Sequence, residues 1–145
     1  MTQAALTVTA NAQSRVYGAA NPTLTYASAG LVNGDTLTGL LATGATVTSN
    51  VGAYGITQGT LASSGNYALS YVGANLTVTQ AALTITANAQ SRVYGAANPT
   101  LTYAIGGSGM QNGDTLTGLL ATTATVTSNV GAYGITQGTL AASAN

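Results

Sequence analysis

Only four side chains of the 145-residue sequence are charged at neutral pH, namely Arg15, Asp35, Arg92 and Asp114. The sequence has no His, Cys, Lys or Glu that could activate a Ser, Thr or Tyr hydroxyl for nucleophilic attack. Asp35 and Asp114 would form a two-carboxylate site only if the two halves of the chain folded against each other. We therefore expect that the protein is not an enzyme.

The shortage of carboxylates also limits metal binding. Each half of the chain holds one Asp, whereas a Ca²⁺ site needs about six to eight oxygen ligands and usually several carboxylates. The absence of Cys excludes disulfides and thiolate zinc sites. We expect no metal and no cofactor; a weak site that combines Asp35 with backbone carbonyls is the less favoured alternative.

Each Arg has one Asp available as a partner in its own half of the chain. Arg15 precedes a Tyr-Gly turn and Asp35 follows an Asn-Gly turn, so we predict that they form a structural ion pair, and that Arg92 and Asp114 do the same. An exposed pair of this kind contributes only about 0–1 kcal/mol. The alternative is that each Arg binds the carboxylate of a ligand.

The overall composition excludes two classes of partner. Charged residues make up 3% of the sequence and the net charge is zero, against about 25% charged residues in a typical soluble domain. We therefore expect no binding to nucleic acid.

No apolar run approaches the roughly 18–20 residues that span a bilayer, so we expect no membrane insertion. The N-terminal residues Met1-Thr2-Gln3 do not begin a signal peptide.

The sequence repeats itself almost without change. Residues 2–27 recur at 79–104 with one change, and residues 33–66 recur at 112–145 with three. Solenoid repeats are shorter, about 20–45 residues, and this repeat is long enough to form a small autonomous domain. We predict two domains, at residues 1–79 and 80–145; one domain with internal pseudo-symmetry is the alternative.

The second repeat is shorter than the first. Asn145 corresponds to Asn66, so the second repeat has no counterpart of residues 67–79, which are predicted to form two short strands. Open sheet edges accept strands from other chains. We therefore expect either homotypic edge-strand pairing or a disordered C-terminal end.

Period-two alternation predicts β-strands. In Leu6-Thr-Val8-Thr-Ala10 the apolar residues share one face and Thr the other, which suits a half-buried sheet. Asn33-Gly34 predicts a tight turn with positive φ. The segment Asp35–Leu41 is the exception, because Asp35 is placed to cap a single helical turn.

The predicted elements define the fold class. Each repeat has about six or seven short strands and one short helical turn, so we predict an all-β protein of two tandem small antiparallel domains. An immunoglobulin-like sandwich and a β-grasp-like sheet both fit this pattern. The linker Gln80-Ala81-Ala82 is short and has no Gly, which restricts bending, so we expect an elongated rod.

All the aromatic residues are Tyr. Tyr rings in β-domains usually pack inward with the hydroxyl at the rim, so we expect Tyr26, Tyr54, Tyr67 and their equivalents in the core. Tyr17 and Tyr94 stand beside Gly in a turn and are the candidates for surface contacts. A concave Tyr-lined groove in both repeats would favour a binding function.

The run Arg15-Val-Tyr17-Gly18-Ala-Ala-Asn21-Pro22, followed by Asn33-Gly34-Asp35, resembles the YGX type of the MBG repeat family. The resemblance covers nearly all of both repeats. It implies a stalk or spacer module of a secreted bacterial surface adhesin, outside the cell and without catalytic residues, whose partners are neighbouring repeats. The alternative is an adhesin module that binds a glycan or a host surface protein, or that associates with itself.

Overall fold

The computed structural model describes every residue from Met1 to Asn145. The chain divides into two units, Met1–Gln80 and Ala81–Asn145, which we call the first and the second module. Both consist of strands and loops with no helix, which confirms the all-β prediction. Accordingly, the structure offers no helix that could span a membrane.

The strands are short and unequally divided between the modules. The first module contains β1 Ala4–Ala10, β2 Gln13–Val16, β3 Tyr26–Ala29, β4 Ala42–Thr43, β5 Gly52–Thr57, β6 Tyr67–Val72 and β7 Ala74–Thr79. The second module contains β8 Leu83–Ala87, β9 Tyr103–Gly107, β10 Ala121–Thr122 and β11 Ile135–Thr136. The apolar side chains of the alternating stretches in β1 and β7 are buried, namely Leu6, Val8, Ala10, Leu76 and Val78, and the Thr side chains between them are exposed, as the period-two pattern predicts.

Two sheets form the first module. One has the strand order β3-β1-β6 and the other the order β2-β7-β5-β4. Three of the pairings are antiparallel, but β1 pairs with β6 and β2 pairs with β7 in parallel. The sheets are therefore mixed, which corrects the prediction of a purely antiparallel domain.

The two parallel pairings belong to one continuous contact between residues 4–16 and 67–79. Ala4 lies opposite Tyr67 at one end of the contact, and Val16 lies opposite Thr79 at the other. Each segment begins in the three-stranded sheet and ends in the four-stranded sheet. This contact therefore joins both sheets of the first module.

The core of the first module consists of two clusters. One contains Leu6, Val8, Leu61 and Tyr67, and the other contains Ala10, Ala45, Ile56 and Leu76. Leu41 and Tyr71 pack against both. Residues 67–79 thus supply a buried side chain to each cluster, Tyr67 to the first and Leu76 to the second, and the Tyr71 side chain packs against both.

The Asn-Gly turn forms as predicted. Asn33 and Gly34 have φ angles of 58° and 74°, and the Asp35 N–H donates a hydrogen bond of 3.0 Å to the Val32 carbonyl. Positive φ at both central residues is the signature of a type I′ turn. Asn112 in the second module also has a positive φ, of 52°.

The helical turn predicted at Asp35–Leu41 is absent. Thr38 and Ala62 instead form a bridge through two backbone hydrogen bonds of 2.9 and 2.8 Å. Gly39 has a φ of 85°, and a Cβ at this position would overlap the Thr60 carbonyl. The prediction was wrong because a long-range bridge and a left-handed glycine replace the local i→i−4 hydrogen bonds of a helix.

Residues 81–145 contain no counterparts of β6 and β7. β8 pairs with β9, and β10 pairs with β11, but residues 90–93, the counterpart of β2, form no strand. The counterpart of β5 is reduced to Ile135–Thr136. Ten of the eleven buried apolar side chains lie in the first module, and Leu140 is the other one. We conclude that β2 and β5 depend on pairing with β7.

Replacing Leu76 by Ala tests the role of residues 67–79 in the first module. Because Leu76 is 0% exposed, Leu76→Ala should lower the free energy of unfolding by about 2–5 kcal/mol. Urea denaturation followed by circular dichroism measures the change. The neighbouring Thr77 is exposed, so Thr77→Ala should change stability by less than about 0.5 kcal/mol, and equal effects of the two changes would contradict this account of the core.

Candidate functional site

The Arg15 side chain is buried and fastens two loops of the first module. It is 7% exposed. Its Nε donates a hydrogen bond of 2.7 Å to Asn21 Oδ1, and its guanidinium also donates to the carbonyls of Val16 and Thr46. Asn21 Nδ2 in turn donates to the Ala45 carbonyl at 2.7 Å. We call this set of contacts the Arg–Asn clip.

The second module contains the same clip. Arg92 Nε donates to Asn98 Oδ1 at 2.7 Å, and Arg92 also donates to the Thr125 carbonyl. Asn98 Nδ2 donates to the Ala124 carbonyl at 2.6 Å. Arg92 is only half-buried, yet its contacts are preserved. The clip therefore forms without a counterpart of β7.

Peptide dipoles stabilise the charge of each Arg in the clip. A buried charge is costly unless its donors are satisfied, and the planar guanidinium can donate to several oxygens at once. In the first module those oxygens belong to Asn21 and to backbone carbonyls. The only basic side chain of each module is thus committed to holding its own loops.

Asp35 contacts a tyrosine. Asp35 is exposed and its Oδ2 accepts a hydrogen bond of 2.8 Å from the Tyr67 hydroxyl. The same hydroxyl accepts a hydrogen bond from the Val32 N–H at 3.0 Å and lies 3.2 Å from the Val32 carbonyl. The backbone contact with Val32 lowers the pKa of Tyr67, but burial and the Asp35 carboxylate together outweigh it, so the pKa is raised.

The predicted ion pairs are replaced by these separate contacts. The hydrogen bonds of Arg15 go to Asn21 and to carbonyls, while Asp35 binds Tyr67. No hydrogen bond joins Arg92 to Asp114 in the second module either, because Arg92 uses its donors in the clip. The physical reason is that an adjacent loop offers the Arg several oxygens, whereas a Tyr hydroxyl supplies the donor that the carboxylate needs.

The tyrosines of the two turns differ in exposure. Tyr17 is 6% exposed, which corrects its predicted place at the surface, whereas Tyr94 is 65% exposed. The Tyr17 N–H donates to the Thr79 carbonyl at 2.8 Å, and the second module has no counterpart of Thr79. Tyr67 is buried as expected, but Tyr26 is 37% exposed rather than in the core.

A Tyr-lined cleft of about 540 Å³ lies in the second module. Its walls include Arg92, Tyr94, Asn98 and Tyr133. The corresponding position in the first module is filled by β7. The two modules therefore do not share this groove, so it is not a property of the repeat itself.

Sequence reasoning missed the residues that complete the clip and the carboxylate contact. The sequence patterns predict Tyr67 as a core residue and assign no contact to Asn21 or Asn98. The signal for the clip was the position of Arg15, which alternates with exposed residues in β2 and therefore faces inward. An inward Arg needs oxygen acceptors, and Asn21 is a nearby side chain that offers one.

A family model for the MBG domain of the YGX type matches residues 6–77 and 83–145. The chain belongs to this family. The two matched segments correspond to the two modules, and MBG domains are generally found in extracellular proteins. No curated protein and no solved structure matches the chain. Neither MBG module contains a group of three or more His, Cys, Asp or Glu side chains that could hold a metal ion.

Replacing Arg15 by Lys tests the clip of the first MBG module. Lys keeps the charge but cannot reach several acceptors with a planar fork, so Arg15→Lys should lower the free energy of unfolding by about 1.5–3 kcal/mol. Chemical denaturation measures the loss. The matched change Arg92→Lys should lower the free energy of unfolding by less, because Arg92 is more exposed than Arg15. A larger loss for Arg92→Lys would contradict the assignment.

The raised pKa values of Tyr67 and Tyr71 predict that the first MBG module loses stability in alkali. Burial is the cause at Tyr71. The folded state holds both phenolic protons more tightly than the unfolded state, so their contribution is complete below about pH 10 and is lost as pH rises through the raised values. Urea denaturation at several pH values between 8 and 11 measures this loss.

The variant Tyr67→Phe is the control for the alkaline effect. It should lower the free energy of unfolding at neutral pH, because Asp35 and Val32 lose a hydrogen-bond partner. It should also reduce the dependence of stability on pH above 10. An unchanged slope would show that Tyr67 does not contribute to the alkaline loss.

Proposed function

We propose that the chain is part of the stalk of a secreted bacterial surface adhesin, where its MBG modules act as structural spacers. The observation that carries this proposal is the Arg–Asn clip, which recurs with nearly the same contacts in both modules. The clip uses the only basic side chain of each module for internal support. A module organised in this way maintains its own shape.

The neutral surface supports the same role. The chain has a net charge of zero and 3% charged residues, so it generates no field that would steer a charged partner towards it. The outward faces of β1 and β7 carry Thr instead. Such a surface stays hydrated through hydroxyl groups without attracting nucleic acid or anionic lipid.

The proposal includes the absence of catalysis. A hydroxyl nucleophile needs a neighbouring base, and the candidate groups here are Asp35 and Asp114 alone. Asp35 accepts a hydrogen bond from Tyr67, a group that is itself a weak acid. This arrangement orders a loop and offers no activated nucleophile.

The competing proposal is a module that binds a glycan or a host protein. A binding role for the repeat would be supported by one concave surface present in every copy. The cleft beside Tyr94 and Tyr133 occurs in the second module, whereas β7 covers the corresponding residues of the first. This difference favours the spacer.

Small-angle X-ray scattering of the 145-residue chain tests the spacer role. The linker Gln80-Ala81-Ala82 has no Gly, so we expect the modules to be held apart. A single compact body of 145 residues has a radius of gyration of about 15 Å. Two modules of about 11 Å each, placed in contact end to end, give about 18 Å, and we expect the larger value.

A radius of gyration near 15 Å would contradict the spacer proposal. A glycan array probed with the same chain provides the matched test of the alternative, with Tyr94→Ala as the variant because Tyr94 is the most exposed tyrosine. We expect no saturable binding. Saturable binding that Tyr94→Ala abolishes would favour the adhesive role instead.

A further inference from the structure

The outer edge of β3 is open in the first module. The strand order of its sheet is β3-β1-β6, so β3 pairs with β1 on one side and with no strand on the other. All four residues of β3 are exposed. The second module has the same edge, because β9 pairs with β8 on one side and all five of its residues are exposed. Since β6 contacts the opposite side of β1, the edge at β3 does not depend on that strand.

Alternation along β3 decides which backbone groups face the open edge. The Asn11 N–H donates a hydrogen bond of 2.9 Å to the Thr25 carbonyl, which continues the register of β1 with β3. Hydrogen-bonded and non-hydrogen-bonded pairs alternate in an antiparallel ladder, so Ala27 also bonds to β1. The N–H and C=O groups of Tyr26 and Ser28 therefore point away from β1, towards the edge.

The backbone of the second module is arranged in the same way. The Asn88 N–H donates a hydrogen bond of 2.9 Å to the Thr102 carbonyl, in register with the pairing of β8 and β9. Ala104 therefore bonds to β8, and the backbone groups of Tyr103 and Ile105 face the edge. Each module thus presents two neighbouring outward positions, each with one donor and one acceptor.

The edge lacks the features that usually keep sheet edges from pairing. Such features are charged side chains, prolines, bulges and strands too short to pair. β3 has the sequence Tyr-Ala-Ser-Ala and β9 has Tyr-Ala-Ile-Gly-Gly, without charge or proline. The edges of the other sheet are protected, because β4 has only two residues and β2 carries the inward-facing Arg15. The edge at β3 and β9 is therefore a template for a further strand.

We infer that this edge is an interface between two copies of the chain, in which β3 pairs antiparallel with β3 of the second copy and β9 pairs with β9. This inference goes beyond the spacer role and does not depend on it. Ala27 lies on the twofold axis opposite itself, and Tyr26 lies opposite Ser28 of the second copy. Each Tyr26–Ser28 pair exchanges two main-chain hydrogen bonds, so one contact between β3 strands has four.

The side chains of the edge fit this register. Small alanine side chains meet at the axis, where the two Cα atoms of a non-hydrogen-bonded pair are only about 4.5 Å apart. Tyr26 and Ser28 share the face of Ala10 and Val8, their buried partners in β1. Tyr26 and Tyr103 are both 37% exposed, so the edge position and not the particular module sets this exposure. A strand added from a second copy covers part of each ring.

Charge and symmetry favour a second copy as the occupant. No residue of β3 or β9 is charged, so like charges do not meet across the contact. The chain as a whole has no net charge, which favours association between copies. A twofold contact is self-complementary, and the same register serves both modules. In the second module it sets Tyr103 opposite Ile105, an aromatic and β-branched pair of the kind that stabilises sheets.

Sedimentation equilibrium of the 145-residue chain tests the association. We expect the weight-average mass to rise towards twice that of the monomer as the chain concentration approaches the millimolar range. Amide hydrogen exchange followed by NMR locates the contact at Tyr26 and Ser28. When the concentration of free chain is ten times the dissociation constant, these amides should exchange up to about tenfold more slowly. The Ala27 amide already bonds to β1 and should not change.

Substitutions at the axis test the register. Ala27→Lys combined with Ala104→Lys sets like charges opposite each other and should weaken association by up to about fivefold. Ala27→Asp combined with Ala104→Asp should do the same. An equimolar mixture of the Lys and Asp proteins should associate more tightly than either protein alone, because Lys then lies opposite Asp. Both positions are exposed, so the unfolding midpoints in urea should stay close to that of the parent chain.

The matched control carries the same charges on another strand. Ala53 of β5 and its counterpart Ala132 are also exposed. Lys at both positions in one protein and Asp at both in another reproduce the net charges without altering the edge. A mixture of these two control proteins should associate no more tightly than the parent chain.

Four outcomes would overturn the inference. One is a strict monomer at millimolar concentration, and another is a mixture of the edge variants that associates no more tightly than the mixture of control variants. The third is slower exchange at Leu69 and Tyr71, whose amides face the outer side of β6, instead of at β3. The fourth is protection of the β3 amides by an unrelated extended peptide while the chain stays monomeric, which would assign the edge to a different partner.

Discussion

The parallel pairing of residues 4–16 with residues 67–79 is the contact on which the architecture of the first module depends. Both segments pass from one sheet to the other, so this one contact closes the three-stranded and the four-stranded sheet together. It also buries Leu76 and Tyr67, one in each core cluster. The same residues therefore supply both the burial of apolar side chains and the pairing of the strands.

The two modules provide a natural comparison because their shared sequence is nearly identical. Loops and turns whose hydrogen-bond partners lie within the shared sequence are preserved in the second module, including the Arg–Asn clip and the Asn-Gly turn. Strands that depend on a distant partner are shortened or lost, as for β2 and β5. Hydrogen bonds within the shared sequence thus fix the loops, while pairing with β7 decides whether the segments corresponding to β2 and β5 become full strands.

Much of the fold could be predicted from local patterns. Alternation in Leu6-Thr-Val8-Thr-Ala10 correctly predicts a half-buried strand, because side chains on a strand alternate between faces. Asn33-Gly34 correctly predicts a turn, because positive φ at two adjacent positions favours those residues. These features depend on residues close in sequence.

The remaining features depend on residues far apart. No turn motif in the sequence predicts the parallel pairing of β1 with β6, because parallel strands are joined by long connections and not by tight turns. The helical turn expected after Asp35 was displaced by the bridge between Thr38 and Ala62, and the burial of Tyr17 depends on strand β7. At the candidate site, the inward direction of Arg15 was predictable from alternation, but the loop carbonyls that receive its hydrogen bonds were not.

The side-by-side arrangement of the two end segments has a mechanical consequence for the first module. Ala4 lies beside Tyr67 and Val16 lies beside Thr79, so a tensile load applied at residues 4 and 79 pulls neighbouring strands along their length in opposite directions. The interstrand hydrogen bonds are then loaded in shear, so that they resist the force together. Hydrogen bonds that are pulled open from one end of a strand pair would instead break one after another.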